Sequence, residues 1–200
     1  MHGTQLLRLW LVVILASASW FVAAEPKQLP RALERPIDTG SDITLVCWYR
    51  SHACATLLHA LQQRQATVTL LPAVFRHAWQ NDAKWMLLAN DFNLTLAQHL
   101  ALMETLAQAP DSITNEAQFI EWAKPYLSDR EPAQIEAVVY SSEIGKRLKA
   151  IQHQLQAAQI SKVPTLIYQG RFALTPQADT SAQQLLLAID ELALQQQEQL

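Results

Sequence analysis

The chain has few cysteines and glycines, little net charge and no block of basic residues. Its 200 residues include two cysteines and four glycines, and the formal net charge is −3. A small negative charge without a basic stretch argues against nucleic acid as a partner. The many Ala, Leu and Gln residues favour a helix-rich structure, and so does the scarcity of glycine, which destabilises helices. The apolar fraction is 50%, which is enough for the core of one domain.

The longest apolar run opens the chain, from Leu9 to Ala24, and is shorter than the roughly 20 residues that a membrane span needs. It follows Arg8 and ends in Val22-Ala23-Ala24. We therefore interpret residues 1–24 as a signal peptide that is cleaved after about Ala24, leaving residues 25–200 as the mature, exported chain. A membrane anchor is the alternative.

The most informative stretch runs from Asp42 to Leu61, D-I-T-L-V-C-W-Y-R-S-H-A-C-A-T-L-L-H-A-L. Its apolar part, Ile43 to Tyr49, is typical of a strand covered on both faces. A polar turn, Arg50-Ser51-His52, follows, and the leucine spacing after it predicts an amphipathic helix from His52 to Gln63. Thioredoxin-type folds present their redox site in this way, with a buried strand that delivers a cysteine to the start of a helix.

A second apolar segment, Val68 to Phe75, predicts another buried strand. It contains Pro72, whose nitrogen cannot donate to a ladder, so the strand should lie at a sheet edge or carry a bulge there. Residues 77–158 then have a helical pattern throughout, ending in a long helix from about Ile135 to Gln159.

A second motif, S-K-V-P-T-L-I-Y-Q-G-R-F, occupies Ser161 to Phe172. An X-Pro bond opens one predicted strand, Thr165–Tyr168, and a Gln-Gly turn leads into another, Arg171–Leu174. A final helix follows, with Thr180 or Ser181 as its predicted N-cap in a capping box.

Together the two motifs resemble the DsbA family of periplasmic thiol:disulfide oxidoreductases over nearly the whole mature chain. That family joins a strand ending in C-x-x-C to a helical insertion and a loop of the form V-P-x-x-x-x-x-G-x-Y/F, which is intact here from Val163-Pro164 to Phe172. The resemblance implies an α/β, thioredoxin-like fold with an inserted all-helical domain. The thioredoxin core would comprise about residues 37–76 and 159–193, the helical insertion about 77–158, and the Val163-Pro164 bond would be cis.

The active-site motif departs from the family pattern. The first cysteine of C-x-x-C falls on Ser51 and the second on Cys54, which gives Ser51-His52-Ala53-Cys54. A serine hydroxyl is not appreciably ionised near neutral pH, and it forms no exchangeable analogue of a disulfide. The histidine that stabilises the family's thiolate would fall on Ala53, one position after His52. The substitution at Ser51 therefore predicts loss of two-cysteine oxidation.

Export would place Cys47 and Cys54 in an oxidising compartment, where an even number of cysteines ordinarily indicates a disulfide. The predicted strand argues against one, because it would set Cys47 about 13 Å below the turn at Ser51. A disulfide requires Cα atoms within about 7 Å. We therefore expect no Cys47–Cys54 bond unless the start of the helix unwinds.

Three functions are consistent with these residues. In the first, a redox-degenerate protein binds extended or unfolded polypeptides at Val163-Pro164 by β-addition. In the second, the protein is an active thiol:disulfide oxidoreductase that works through Cys54, or through a Cys47–Cys54 pair, with His52 and the helix N-terminus lowering the thiol pKa. In the third, His52, Cys54 and His59 bind a soft metal, although their number and geometry would be incomplete.

The same residues also have purely structural explanations. Ser51 can be the N-cap of the helix, Cys54 a small buried apolar residue, and His52 a solvated turn residue. We expect no cofactor and no bound metal. The resemblance implies a periplasmic location, unfolded or cysteine-containing exported polypeptides as partners, and a membrane redox partner if the protein is an oxidoreductase.

Overall fold

A computed structural model describes residues 30–198, so the signal peptide prediction lies outside the described residues. They form a mixed sheet of five strands in the order β1-β5-β4-β2-β3. The strands are β1 (Arg31–Ala32), β2 (Ile43–Cys47), β3 (Val68–Pro72), β4 (Thr165–Tyr168) and β5 (Phe172–Leu174). The helices are α1 (His52–Gln63), α2 (Gln80–Asp91), α3 (Leu96–Gln108), α4 (Glu116–Ala123), α5 (Pro132–Val139), α6 (Glu143–Ala157) and α7 (Ala182–Gln197).

The centre of the sheet is β2, which pairs in parallel with β3 and antiparallel with β4. Its side chains are buried from Thr44 to Cys47, as expected for a strand covered on both faces. The helix α1 connects β2 to β3 and begins and ends where the sequence predicts. Strand β3 occupies the sheet edge, and Pro72 is its last residue, which confirms the edge position predicted for this proline.

The hairpin between β4 and β5 depends on one glycine. Gln169 and Gly170 have φ values of 47° and 66°, and Arg171 N–H donates to the Tyr168 carbonyl at 3.0 Å. Two consecutive positive φ values are typical of a type I′ turn. A Cβ on Gly170 would lie 2.7 Å from the carbonyl oxygen of Ile37, so both conformation and space require glycine here.

Helices α2 to α6 lie between β3 and β4 in the chain and pack around a core of aromatic side chains. The rings of Trp85 and Phe119 stack with centroids 5.2 Å apart, and both side chains are buried. The single helix predicted from Ile135 to Gln159 is wrong, because the chain breaks between α5 and α6. Ser141 Oγ accepts the Glu143 backbone N–H there, and the helix restarts.

The last helix, α7, begins as predicted with a capping box. Ser181 Oγ accepts the Gln184 N–H at 3.2 Å, and the Gln184 side chain accepts the Ser181 N–H at 2.7 Å. Across residues 30–198, no helix combines the length and the apolar character needed to cross a bilayer.

Candidate functional site

Strand β2 ends at Cys47, two residues before the predicted end at Tyr49. The chain then turns, and Ser51 N–H donates to the Trp48 carbonyl at 3.0 Å. This turn brings the start of α1 back over the end of β2, so that the thiols of Cys47 and Cys54 lie close enough for each to shift the pKa of the other. Both cysteines are free thiols. The large separation inferred from the sequence is therefore wrong, because it assumed that the strand continued to the turn.

Ser51 is the N-cap of α1. Its backbone is extended, with φ −89° and ψ 114°, and its Oγ accepts the Cys54 backbone N–H at 3.3 Å. A serine in this position stabilises a helix by about 1 kcal/mol relative to alanine. Ser51, which the sequence resemblance aligns with the first cysteine of C-x-x-C, thus has a structural role in the turn.

The thiol of Cys54 is enclosed, with none of the residue's surface exposed. Burial would raise the pKa of Cys54, but hydrogen bonds from the Cys47 thiol, the Ser51 hydroxyl and the Trp48 backbone outweigh it and lower the pKa. Burial raises the pKa of Cys47 well above its usual range, and the neighbouring Cys54 raises it further. Of the two buried sulfurs, Cys54 is therefore the more acidic.

The Val163-Pro164 loop lies next to the start of α1. Its peptide bond is cis. The β2–β4 ladder ends with Val46 opposite Thr165, so Val163 and Pro164 lie beyond the last ladder pair. The Thr165 hydroxyl donates to the Lys162 carbonyl at 2.9 Å, which fixes the loop where it enters β4.

A groove runs between this loop, α1 and the start of α7; we refer to it as the proline groove. Its volume is about 540 Å³. Beside Val163 and Pro164, its walls include His52, Ala53, Leu57, Pro176, Ala178 and Leu185. The sequence-predicted residues His52, Val163 and Pro164 are thus brought together in one groove, whereas Cys54 lies below it and is not part of its wall.

A second cavity, of about 440 Å³, lies on the other side of His52; we refer to it as the α1–α3 pocket. Helix α1 contributes His52, Ala55 and His59 to its walls, and α3 contributes Leu100, Met103, Glu104 and Ala107. Cys54 is absent from these walls as well. His52 therefore separates two cavities, and the buried thiol opens into neither.

The turn after β2 is tied to the helical insertion by a buried carboxylate that sequence reasoning did not single out. Asp82 of α2 is 2% exposed, and it accepts hydrogen bonds from Trp48 Nε1 at 2.6 Å and from Arg50 Nε at 2.9 Å. The Trp48 ring also stacks on Trp79 with centroids 4.4 Å apart. Because a buried charge needs a partner, Asp82 holds both residues of the turn in place.

A second tie, between Tyr49 and His99, was also missed. The Tyr49 hydroxyl lies 2.5 Å from His99 Nδ1, and both residues are buried. Burial lowers the pKa of His99 to about 4, so its imidazole is neutral near pH 7. A signal for His99 exists in the sequence, since it shares the helical spacing of the apolar residues Leu102 and Leu106. We find no comparable local signal for Asp82.

The predicted metal ligands do not converge. His52 and His59 are exposed on α1, whereas Cys54 is buried beneath it. Within the described part of the chain, no group of three or more His, Cys, Asp or Glu side chains is arranged to hold a metal ion.

Comparison with known proteins adds the fold family. No protein-family model and no curated protein sequence matches the chain. A variant of Pseudomonas aeruginosa DsbA superimposes with a TM-score of 0.70 and 15% identity, over 86% of this chain and 97% of that one. Xylella fastidiosa DsbA superimposes with a TM-score of 0.65 and 23% identity, over 82% of this chain and 91% of that one. The chain has the DsbA fold. The predicted α/β, thioredoxin-like architecture with an all-helical insertion is confirmed.

A third structure with the DsbA fold contains a ligand. It is a cysteine-to-serine variant of Proteus mirabilis DsbA in complex with a non-covalently bound peptide, PWATCDS. Its TM-score is 0.61 at 13% identity, over 84% of this chain and 97% of that one. At these identities the similarity concerns the fold alone. Within that fold, this chain has Ser51 at the N-cap of α1, and Cys54 is buried.

Proposed function

We propose that the protein is an exported, periplasmic DsbA-like protein that binds extended or unfolded polypeptides at the proline groove and is redox-degenerate. The observation that carries the proposal is the contrast between the open groove beside Val163-Pro164 and the enclosed thiol of Cys54. The binding surface is accessible, whereas the sulfur that would perform exchange is not. Exported polypeptides, including those that contain cysteine, are the proposed partners.

The groove has the features that an extended peptide needs. Val163 lies beyond the β2–β4 ladder, so its backbone can pair with an added strand. Leu57, Pro176 and Leu185 give the groove apolar walls beside that backbone. Main-chain pairing would supply affinity without sequence preference, and the apolar walls would favour peptides with exposed hydrophobic side chains, as unfolded chains have. The peptide complex of the Proteus mirabilis variant supports this proposal.

Two features argue against redox chemistry of the usual two-cysteine kind. The hydroxyl of Ser51 cannot replace a thiolate as the attacking group. Cys54 is fully buried, and thiol exchange requires the attacking sulfur to reach the disulfide of the other molecule. A polypeptide in the groove would thus be bound without forming a mixed disulfide.

Peptide affinity of the mature protein tests the proposal. We expect Pro164→Thr to weaken binding of a fluorescently labelled unfolded peptide about tenfold, equivalent to about 1.4 kcal/mol. Cys54→Ala should leave the affinity unchanged, because its thiol does not reach the groove. Circular dichroism checks that both variants are folded. Equal affinity of Pro164→Thr and wild type, or loss of binding in Cys54→Ala, would contradict the proposal.

The contact between Cys47 and Cys54 favours a second candidate, a thiol:disulfide oxidoreductase that uses this pair. The two thiols would give two electrons and two protons to the disulfide of a polypeptide, which would leave as two thiols while a Cys47–Cys54 bond forms. The reverse reaction would oxidise a dithiol, and a membrane redox partner would regenerate the starting state. Alkylation and intact mass of the mature protein, with and without reductant, decide between the candidates. A closed bond that reductant opens favours this one, and two free thiols favour the first.

A further inference from the structure

The α1–α3 pocket is a second cavity on the face that carries the proline groove. At about 440 Å³ it has the size of a cavity that takes a large side chain or a small ligand. Neither the redox motif nor the Val163-Pro164 loop accounts for it, since its walls come from the turn after β2, from α1 and from α3.

The chemistry of the walls indicates what the pocket takes. Its sides are apolar, with Ala55 from α1 and Leu100, Met103 and Ala107 from α3. A thioether such as that of Met103 adapts to irregular shapes and makes favourable contacts with aromatic rings. An apolar cavity with a few polar groups at its margin is the usual form of a pocket for an aromatic or large aliphatic group.

The pocket is held open by bonds that do not involve a ligand. At its margin Arg50 donates to Asp82 at 2.9 Å and to the Pro110 carbonyl at 3.0 Å. Tyr49, also in the wall, is fixed by its bond to His99. Because these partners belong to the helical insertion, the pocket is preformed and binding needs little reorganisation.

The position of the pocket ties it to the proline groove. His52 belongs to the walls of both cavities, so a chain that leaves the groove over His52 arrives at the pocket. An extended chain advances about 3.3 Å per residue, and alternate side chains point to the same side. One polypeptide can therefore place one side chain in the groove and another, a few residues away, in the pocket.

We propose that the α1–α3 pocket binds an aromatic or large aliphatic side chain of the same polypeptide that occupies the proline groove. Preferred ligands are then segments with two apolar side chains separated by a short spacer that crosses His52. This inference rests on the proposed polypeptide-binding function and defines its substrate class.

Three exposed alanines provide a matched set of variants of the mature protein. Ala107→Phe fills the α1–α3 pocket, Ala178→Phe fills the proline groove, and Ala117→Phe adds the same side chain on α4, outside the walls of both. The probes are labelled peptides with two phenylalanines separated by polar spacers of varied length, and versions with serine in place of either phenylalanine. Fluorescence anisotropy measures each affinity.

For the best spacer, we expect Ala107→Phe and Ala178→Phe each to weaken binding about tenfold, or about 1.4 kcal/mol. Ala117→Phe should bind like wild type. The peptide that retains only the phenylalanine bound in the groove should bind Ala107→Phe and wild type with equal affinity. Removing the second phenylalanine and filling the α1–α3 pocket abolish the same contact, so their effects should not add.

Two results would overturn the inference in different ways. If Ala178→Phe weakens binding while Ala107→Phe matches Ala117→Phe for every spacer, the pocket does not bind the polypeptide and the proposed function stands. If no peptide binds the wild-type protein, the proposed function fails and the inference fails with it.

Discussion

Tyr49 and His99 form a buried hydrogen bond of 2.5 Å between the turn after β2 and helix α3. Tyr49 lies two residues before Ser51, so the bond connects the candidate site directly to the helical insertion. Burial holds the His99 imidazole in its neutral form, with a pKa lowered to about 4. The burial of this titratable side chain therefore makes the stability of the protein depend on pH.

We expect stability to fall as the pH drops from about 6.5 to about 4. In this window the unfolded chain binds a proton at His99 that the folded protein excludes, so acid favours unfolding. Below about pH 4 both states are protonated and the effect is complete. The difference in pKa, from 6.5 to about 4, corresponds to about 3 kcal/mol.

The comparison is with His99→Asn, which keeps an acceptor for Tyr49 but does not titrate. Urea unfolding at several pH values should show a steeper loss of stability in wild type than in the variant between pH 6.5 and 4. Subtraction removes the contribution of the carboxylates that titrate in the same range. Identical pH dependence of the two proteins would contradict a neutral, buried His99.

Asp82→Asn should destabilise the protein by about 1–3 kcal/mol, because it leaves the Arg50 guanidinium without its anionic partner and weakens the bond from Trp48. We also expect weaker binding of peptides, since the turn that shapes the α1–α3 pocket loses its anchor. Urea unfolding and peptide anisotropy measure the two effects.

The matched control is Glu143→Gln, which breaks the exposed ion pair with Lys146. Those two side chains are 62% and 72% exposed, and such pairs contribute little. A loss of stability in Glu143→Gln as large as that in Asp82→Asn would argue that the burial of Asp82 is unimportant.

Two glycines should respond to alanine in opposite directions. Gly170→Ala places a Cβ 2.7 Å from the Ile37 carbonyl oxygen at a φ of 66°, and we expect a loss of about 1–3 kcal/mol. Gly145→Ala lies within α6, where a Cβ meets nothing within 4 Å, and should stabilise the protein by about 0.5–1 kcal/mol. Thermal unfolding measures both, and a Gly170→Ala protein as stable as wild type would refute this account of the hairpin.

The sequence was sufficient for the parts of the fold that local pattern determines. The leucine spacing predicted the bounds of α1, and the capping-box residues predicted the start of α7. The end of β2 was not predictable in this way, because Trp48 and Tyr49 look like strand residues. Their side chains instead bond to Asp82 and His99, which are 34 and 50 residues further along the chain. Such distant partners leave no local trace, and the contact between Cys47 and Cys54 depends on the turn that they hold.

A cysteine at position 51, where the resemblance to C-x-x-C predicts one, tests how well the surroundings of the site suit redox chemistry. Ser51→Cys creates C-x-x-C at the start of α1, where residue 51 already contacts Cys54. We expect it to gain oxidation of a dithiol peptide above the wild-type background. Its stability should fall by about 1 kcal/mol, because the helix loses its N-cap oxygen.

Ser51→Ala is the control for this gain, because it has the same capping defect and no thiol. Adding Cys47→Ala to Ser51→Cys separates the new pair from the buried one. If oxidation persists in that double variant, the sulfurs at positions 51 and 54 are sufficient, and Ser51 accounts for the redox degeneracy that we propose for the natural protein. If Ser51→Cys carries a thiol that reacts with an alkylating agent but oxidises no dithiol, then residue 51 does not occupy the place of the nucleophile, and the alignment with C-x-x-C is wrong.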